Sequence, residues 1–186
     1  MIIEIEGVGP VLFEKSKRAR NLNISVRISK PVRVCVPLRI SFDKAKEAVK
    51  SKIGWIIKHL ARANHLRSIY NSKLIDVSHL SHIQRKEKLI DRAKELAAER
   101  GFNYGKISIR NQRTRWGSCS ARNNISLNIK LIQLPDRLID YIILHELIHT
   151  RIKNHGQDFK RELNRLVGNR QALNLEIKRY HISLME

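Results

Sequence analysis

His145, Glu146 and His149 form a His-Glu-x-x-His motif within Asp140-Tyr141-Ile142-Ile143-Leu144-His145-Glu146-Leu147-Ile148-His149. In a helix, residues four apart share one face, about 6 Å apart along the axis. Two imidazoles so placed can bind one metal ion, with nitrogen–metal bonds of about 2.0–2.1 Å. Glu146 follows the first of them and points beside such an ion. It suits a general base acting on a metal-bound water. The apolar run from Leu138 to Ile152 predicts a helix buried on nearly every face. The plainer reading of this spacing is surface residues paired along a helix. Against it, unpaired imidazoles and a carboxylate are costly in a buried helix, and a metal would satisfy them.

A third ligand is expected from His155, ten positions after His145. On an unbroken helix it would stand about 15 Å further along the axis, out of reach. The chain must therefore leave the helix after Ile152 and fold back. Asn154 and Gly156 flank His155 and tolerate such a turn. Glu162 and Glu176, from later helices, are the competing third ligands. Three imidazoles beside a glutamate favour Zn2+ and leave a fourth position for water.

The surrounding pattern predicts an α+β chain. Residues 1–40 read as a small β-meander: Ile2–Glu6, then Val11–Phe13 after a turn at Gly7, Gly9 and Pro10, and the alternating runs Leu22–Ile28 and Val32–Val36. Ser41 is a candidate N-cap, with Asp43 in the first turn of a helix running to about Leu66. Trp55 is expected in its core. Residues 70–82 read as a linker, and His79 and His82 as exposed histidines near a helix start. A second helix spans about 83–100, with Ile83, Leu89, Ile90, Ala93, Leu96 and Ala97 inward and Gly101 ending it. Short strands follow at 106–110 and 125–131 in an antiparallel sheet. Asp136 is placed to cap the metal-binding helix, and further helices are expected at 157–167 and near 170–181. Residues 41–186 are thus read as the helical and catalytic part of a single compact domain with the meander.

Composition sets the outer bounds. The formal net charge is +20, from 37 Lys and Arg against 17 Asp and Glu. Residues 15–39 hold eight bases and no acid. Such a field attracts nucleic acid, nucleotides, acidic proteins or anionic lipid. Aromatic residues at 5 % give little support for base stacking. No run of eighteen apolar residues predicts a membrane span. The acids in Met1–Glu6 do not suit a signal peptide. Cys35 and Cys119 are far apart and offer no disulfide framework. A cytoplasmic location is the expectation.

Arg110-Asn111-Gln112-Arg113-Thr114-Arg115-Trp116-Gly117-Ser118-Cys119-Ser120, Ile125-Ser126-Leu127-Asn128, Asp140 to His149, and His155-x-x-x-Phe159 together resemble the YgjP-type metal-dependent hydrolases, a zincin-like metallopeptidase family. Ser16-Lys17-Arg18-Ala19-Arg20 and the Val32–Pro37 strand also look like that family. The resemblance implies a zincin-like core, His145, His149 and His155 as zinc ligands, and Glu146 as the base. It favours His155 over Glu162. Two departures stand out: Lys160 follows Phe159 where the family usually has an aromatic, and the segment between the first two helices is short. Both bear on the rim of the cleft. Arg115, Trp116 and Asn128 are candidate substrate-binding residues. Arg115, Tyr180 and His181 are candidate oxyanion donors. Cys119 is better explained as part of a packed turn than as a ligand. The expected function is a zinc metallopeptidase acting on a peptide or protein. The alternatives are a metal-dependent hydrolase of nucleotide phosphoanhydrides, and a nucleic-acid-associated protease or binding protein.

Overall fold

A computed structural model describes residues 1–26 and 30–185. It is a mixed α+β structure with two sheets and six α-helices among the described residues. The chain divides into two compact units, residues 1–69 and 70–185. The break expected after residue 40 lies inside the first of them. Among the described residues no helix is long and apolar enough to cross a membrane.

In the first unit, β1 (Ile2–Ile5) and β2 (Gly9–Ser16) pair antiparallel around a turn where Gly7 and Gly9 have φ of 75° and 86°. β3 (Asn23–Ser25) and β4 (Val32–Pro37) also pair antiparallel. The sheet order is β1-β2-β4-β3, and β2 runs parallel to β4 with Val11 opposite Val32 and Phe13 opposite Val34. The sheet is therefore not the expected meander. Period-two alternation sets which face is buried but leaves strand neighbours and direction open. Here Val11, Phe13, Val32, Val34 and Val36 all turn inward, and the parallel register gathers them in one layer. Arg27 and Ile28 of the predicted third strand lie outside the described residues.

The first predicted helix is two helices. Ser41 caps α1 (Phe42–Lys50), its hydroxyl accepting from the Lys44 N–H at 3.2 Å. The Ser51 hydroxyl then bonds back to the Ala48 carbonyl at 2.9 Å, and α2 (Ile53–Asn71) restarts beyond it. Ala45, Val49 and Ile56 seal the sheet's apolar layer. Trp55 does not join them. It is 44 % exposed, which corrects the expectation of core packing.

In the second unit, Ser81 and Gln84 form a capping box at the start of α3 (His82–Glu99). Leu89, Ala93, Leu96 and Ala97 are buried, whereas Ile83 in the first turn is exposed. Gly101 ends the helix at φ 66°. β5 (Ile107–Arg110), β6 (Gly117–Cys119) and β7 (Ile125–Asn128) form a sheet of order β5-β7-β6. β5 is parallel to β7 and β6 antiparallel, so this sheet is mixed rather than antiparallel. β7 ends at Asn128 because that side chain caps a 3₁₀ turn at Ile129–Gln133, accepting from the Lys130 N–H at 3.2 Å. α4 (Asp136–Ile148) follows. Its N-cap is Pro135, with Asp136 in the first turn rather than capping. Arg92 of α3 grips Asp140 of α4 through two bonds of 2.7 Å. α5 (Gln157–Val167) and α6 (Arg170–Leu184) complete the unit.

Candidate metal centre

α4 is the axis of the second unit, and leucine, isoleucine and tyrosine side chains bury it on all sides. Its last turn brings His145 and Glu146 inward, and His149 caps its C-terminus with φ −63° and ψ −12°. The helix thus ends four residues before the expected break after Ile152. Thr150 secures the end: its N–H and its hydroxyl both donate to the Leu147 carbonyl, at 2.9 and 2.8 Å. The returning loop is tied down from outside. Arg151 donates to the Gly101 carbonyl and lies over the Phe102 ring, 4.2 Å from its centroid. Lys153 donates to the Ser120 carbonyl at 3.2 Å and to the Asn123 side chain. Asn154 turns the chain by accepting from the Gly156 N–H at 3.1 Å.

His155 is thereby carried back over the end of α4. Its Nε2 lies 3.1 Å from Nε2 of both His145 and His149. Phe159 of α5 forms the floor, its ring 4.5–4.8 Å from all three imidazole centroids. These three histidines form a potential metal site whose ligand atoms all lie within 4.8 Å of one another.

Hydrogen bonding alone does not account for this cluster. His149 Nδ1 meets the Ile152 carbonyl at 2.9 Å, so the N–H is there and Nε2 is a bare lone pair. One proton can satisfy one of the two 3.1 Å approaches to His155 Nε2, not both. A metal ion accepts all three lone pairs. Nitrogens bound to one ion at about 2.0–2.1 Å stand about 3.1–3.5 Å apart in near-tetrahedral geometry, so the residues present fit a metal. Burial, then repulsion from His149 and His155, pushes His145 down to about 3. Burial also lowers His149. Both rings are held in the neutral form that binds metal.

Glu146 is 6 % exposed. Burial pushes its carboxyl up to about 7, against the opposing pull of the Arg115 charge. The first residue of β6 makes room for it. A Cβ on Gly117 would stand 2.7 Å from Glu146 Cγ and 2.8 Å from Oε1. Gly117→Ala is accordingly expected to displace the Glu146 side chain and cost about 1–3 kcal/mol by overpacking. The denaturant midpoint reads the cost, and unchanged metal content shows that the histidines have stayed in place.

A cleft of about 350 Å³ opens at His145 and Glu146, walled by Trp116, Gly117, Tyr141, Ile142 and Ile177, with Asn174, Lys178 and His181 on its α6 side. Of the candidate substrate residues, Trp116 lines this cleft and Arg115 is exposed near Glu146. Asn128 does not reach it. It is fully buried, and its amide donates to the Gln112 and Arg115 carbonyls at 2.8 and 2.9 Å. Its work is to hold the loop that presents Trp116. His181 faces Trp116 edge-on at 6.1 Å, whereas Tyr180 is buried against Tyr70 and does not line the cleft. Glu162 is engaged by Arg165 at 2.7 Å and Glu176 by Arg137 at 2.8 Å. Cys119 is half-buried with its thiol pushed up by burial. It, His79 and His82 lie outside the cluster. Gly117 and Phe159 are the site residues whose roles sequence alone missed. The motifs that contain them were the available signal.

A buried helix with three converging imidazoles and a desolvated carboxyl beside them fits a metal-dependent hydrolase. Residues 76–180, more than half of the chain, match the family described as YgjP-like, metallopeptidase domain, and the chain belongs to that family. No curated protein matches it. Among solved structures it is similar to the metallopeptidase zymogen jannalysin of Methanocaldococcus jannaschii, at 29 % identity and TM-score 0.44 over 50 % of this chain and 95 % of that one. It is also similar to the metallopeptidase zymogen abylysin of Pyrococcus abyssi, at 25 % identity and TM-score 0.40 over 49 % and 90 %.

Proposed function

We propose that this protein is a zinc-dependent metallopeptidase with a zincin-like core. In this reading His145, His149 and His155 hold the ion, and Glu146 is the general base. The convergence of three imidazole Nε2 atoms beside a buried carboxyl carries the reading. Three neutral imidazoles suit zinc. When bound, the metal supplies Lewis-acid polarisation of a carbonyl and makes a water molecule acidic enough to react near neutral pH.

The chain's own groups do the rest. Glu146 Oε takes the proton of the attacking water and passes it to the leaving amine. Its desolvated position keeps proton transfer close to balance near neutrality. His149 is oriented by its bond to the Ile152 carbonyl and so presents Nε2 in one tautomer. Trp116, Ile142 and Ile177 form an apolar wall for a substrate side chain and exclude water from it. His181 and Arg115 are the remaining oxyanion donors, since Tyr180 is spent on packing against Tyr70.

Zinc analysis alongside a peptide-library digestion tests the proposal. Near-stoichiometric zinc and peptide cleavage are expected, both lost on chelation and both restored by zinc. A protein that takes up no zinc when it is offered overturns the metal assignment. A zinc-loaded protein that cleaves no peptide bond overturns the peptidase assignment.

A further inference from the structure

The first compact unit, residues 1–69, lies wholly outside the matched metallopeptidase domain. It holds fifteen Lys and Arg against five Asp and Glu, a net +10. Three of these cations, Lys58, Arg62 and Arg67, lie on α2, and Lys52 immediately precedes it. That helix has no acid along its length, and none occurs anywhere between Glu47 and Asp76. A polar helix of this kind is normally laced with acid–base pairs three or four residues apart. Here there is no carboxylate to make one. Within the first unit only Ile56 of α2 is buried, so the other residues from Ile53 to Ile69 stand partly or fully in solvent.

On this helix Trp55 is 44 % exposed. Its ring stacks on that of His59, with centroids 4.1 Å apart and planes tilted by 31°. The stack is held in shape, because His59 Nδ1 meets the Trp55 carbonyl at 2.9 Å. Next to the indole is an apolar notch of about 310 Å³ lined by Leu22, Ile24, Ala48, Ser51, Lys52 and Trp55. Lys52, Lys58 and Arg62 stand at i−3, i+3 and i+7 from Trp55 and share its side of the helix. All three are exposed, and among the described residues none is held in an ion pair.

We propose that this face binds single-stranded nucleic acid, one base stacking on the Trp55–His59 pair and the phosphates running along Lys52, Lys58 and Arg62. A flat aromatic surface edged by cations matches the two things every single strand offers, a π-face and a regular negative charge. A duplex hides its base faces inside the stack. An acidic peptide satisfies the cations but has no flat ring for the indole. The inference concerns residues remote in sequence from the metal cluster and does not depend on what that cluster does.

The test is fluorescence anisotropy of a labelled oligothymidylate of about 12 nucleotides, within the span one such site covers. The full chain is titrated at several salt concentrations. The oligonucleotide is expected to bind and to quench tryptophan emission, since Trp116, the other tryptophan, is only 8 % exposed. Trp55→Ala is expected to weaken binding about tenfold and to abolish the quench, while Trp55→Phe keeps most of the affinity. The combined variant Lys52→Gln, Lys58→Gln, Arg62→Gln is expected to lower the salt slope by about 2, some 0.7 per phosphate contact on a single strand. Since these side chains are exposed, circular dichroism and zinc content should match the parent. Parental affinity in Trp55→Ala would overturn the proposal and leave only diffuse attraction by a basic surface. Equal displacement of the oligonucleotide by polyglutamate would overturn it in favour of an acidic peptide.

Discussion

Glu146→Gln is expected to abolish peptide hydrolysis while leaving bound zinc unchanged. The substitution keeps the shape of the side chain, so the close approach of Gly117 to it is preserved. It removes the one property the proposed mechanism needs, an oxygen that gains and releases a proton near neutral pH. Burial has already pushed that carboxyl up to about 7, which suits a group that gains and loses a proton near neutral pH. Loss of a positioned general base costs about 100- to 10,000-fold. Stability is expected to hold or rise, because a neutral amide replaces a group whose charged form is costly to bury. Single-turnover cleavage and zinc content measured on one preparation decide the matter. Undiminished turnover would remove Glu146 as the base. Loss of zinc would move it from base to ligand.

How much of this was legible in the sequence depends on the range of the physics involved. The spacing of His145, Glu146 and His149 is a property of one helix, and the apolar residues around it predict the burial that α4 shows. The return of His155 was legible from Asn154 and Gly156, because turn chemistry is local. What holds the turn was not. Arg151 reaches to Gly101 and Lys153 to Ser120, contacts some 50 and 33 residues away in the chain. Gly117 belongs to the same class. Its motif marks Gly117 as distinctive but does not say that the side chain pressing against it comes from a glutamate 29 positions later. Phe159 stands out in the sequence only as part of the His155-x-x-x-Phe159 element, and only the fold makes it the floor under three imidazoles.

The errors share a cause. Alternation identified the buried face of Val32–Val36 but left open that β4 would pair parallel to β2. Apolar spacing joined α1 and α2 across Ser51, whose hydroxyl closes the first helix locally. Trp55, expected in the core, stands outside it. A single buried residue, Ile56, was enough to anchor that turn to the sheet and leave the indole outside. Asn128, expected to bind substrate, does not reach the cleft. Its amide is spent on two carbonyls of the loop before it.

His155→Ala carries the second large effect, loss of zinc from an otherwise intact protein. Of the three histidines it is the one whose removal is cleanest. His149 is buried and its Nδ1 holds the Ile152 carbonyl, so replacing it would also loosen the turn. His155 is exposed, and the loop that carries it is fastened by Arg151, Lys153 and Asn154 independently of the imidazole. The remaining pair, His145 and His149, would have to bind zinc with two ligands. Loss of even an outer partner of a ligand costs about 10–100-fold in metal affinity, so loss of the ligand itself is expected to exceed about 100-fold. Zinc should fall from near one per chain to a small fraction after dialysis, with an unchanged circular dichroism spectrum. The rivals give the experiment its edge. For Glu162 to take over, it must leave Arg165, and for Glu176, it must leave Arg137. Both pairs are partly exposed and individually weak, so neither glutamate is locked away by energy alone. What sets them apart is position, since the ring nitrogen of His155 already stands 3.1 Å from both partners. Full zinc occupancy in His155→Ala would mean that a glutamate had crossed that gap. Adding Glu162→Ala or Glu176→Ala to the variant would then identify which one.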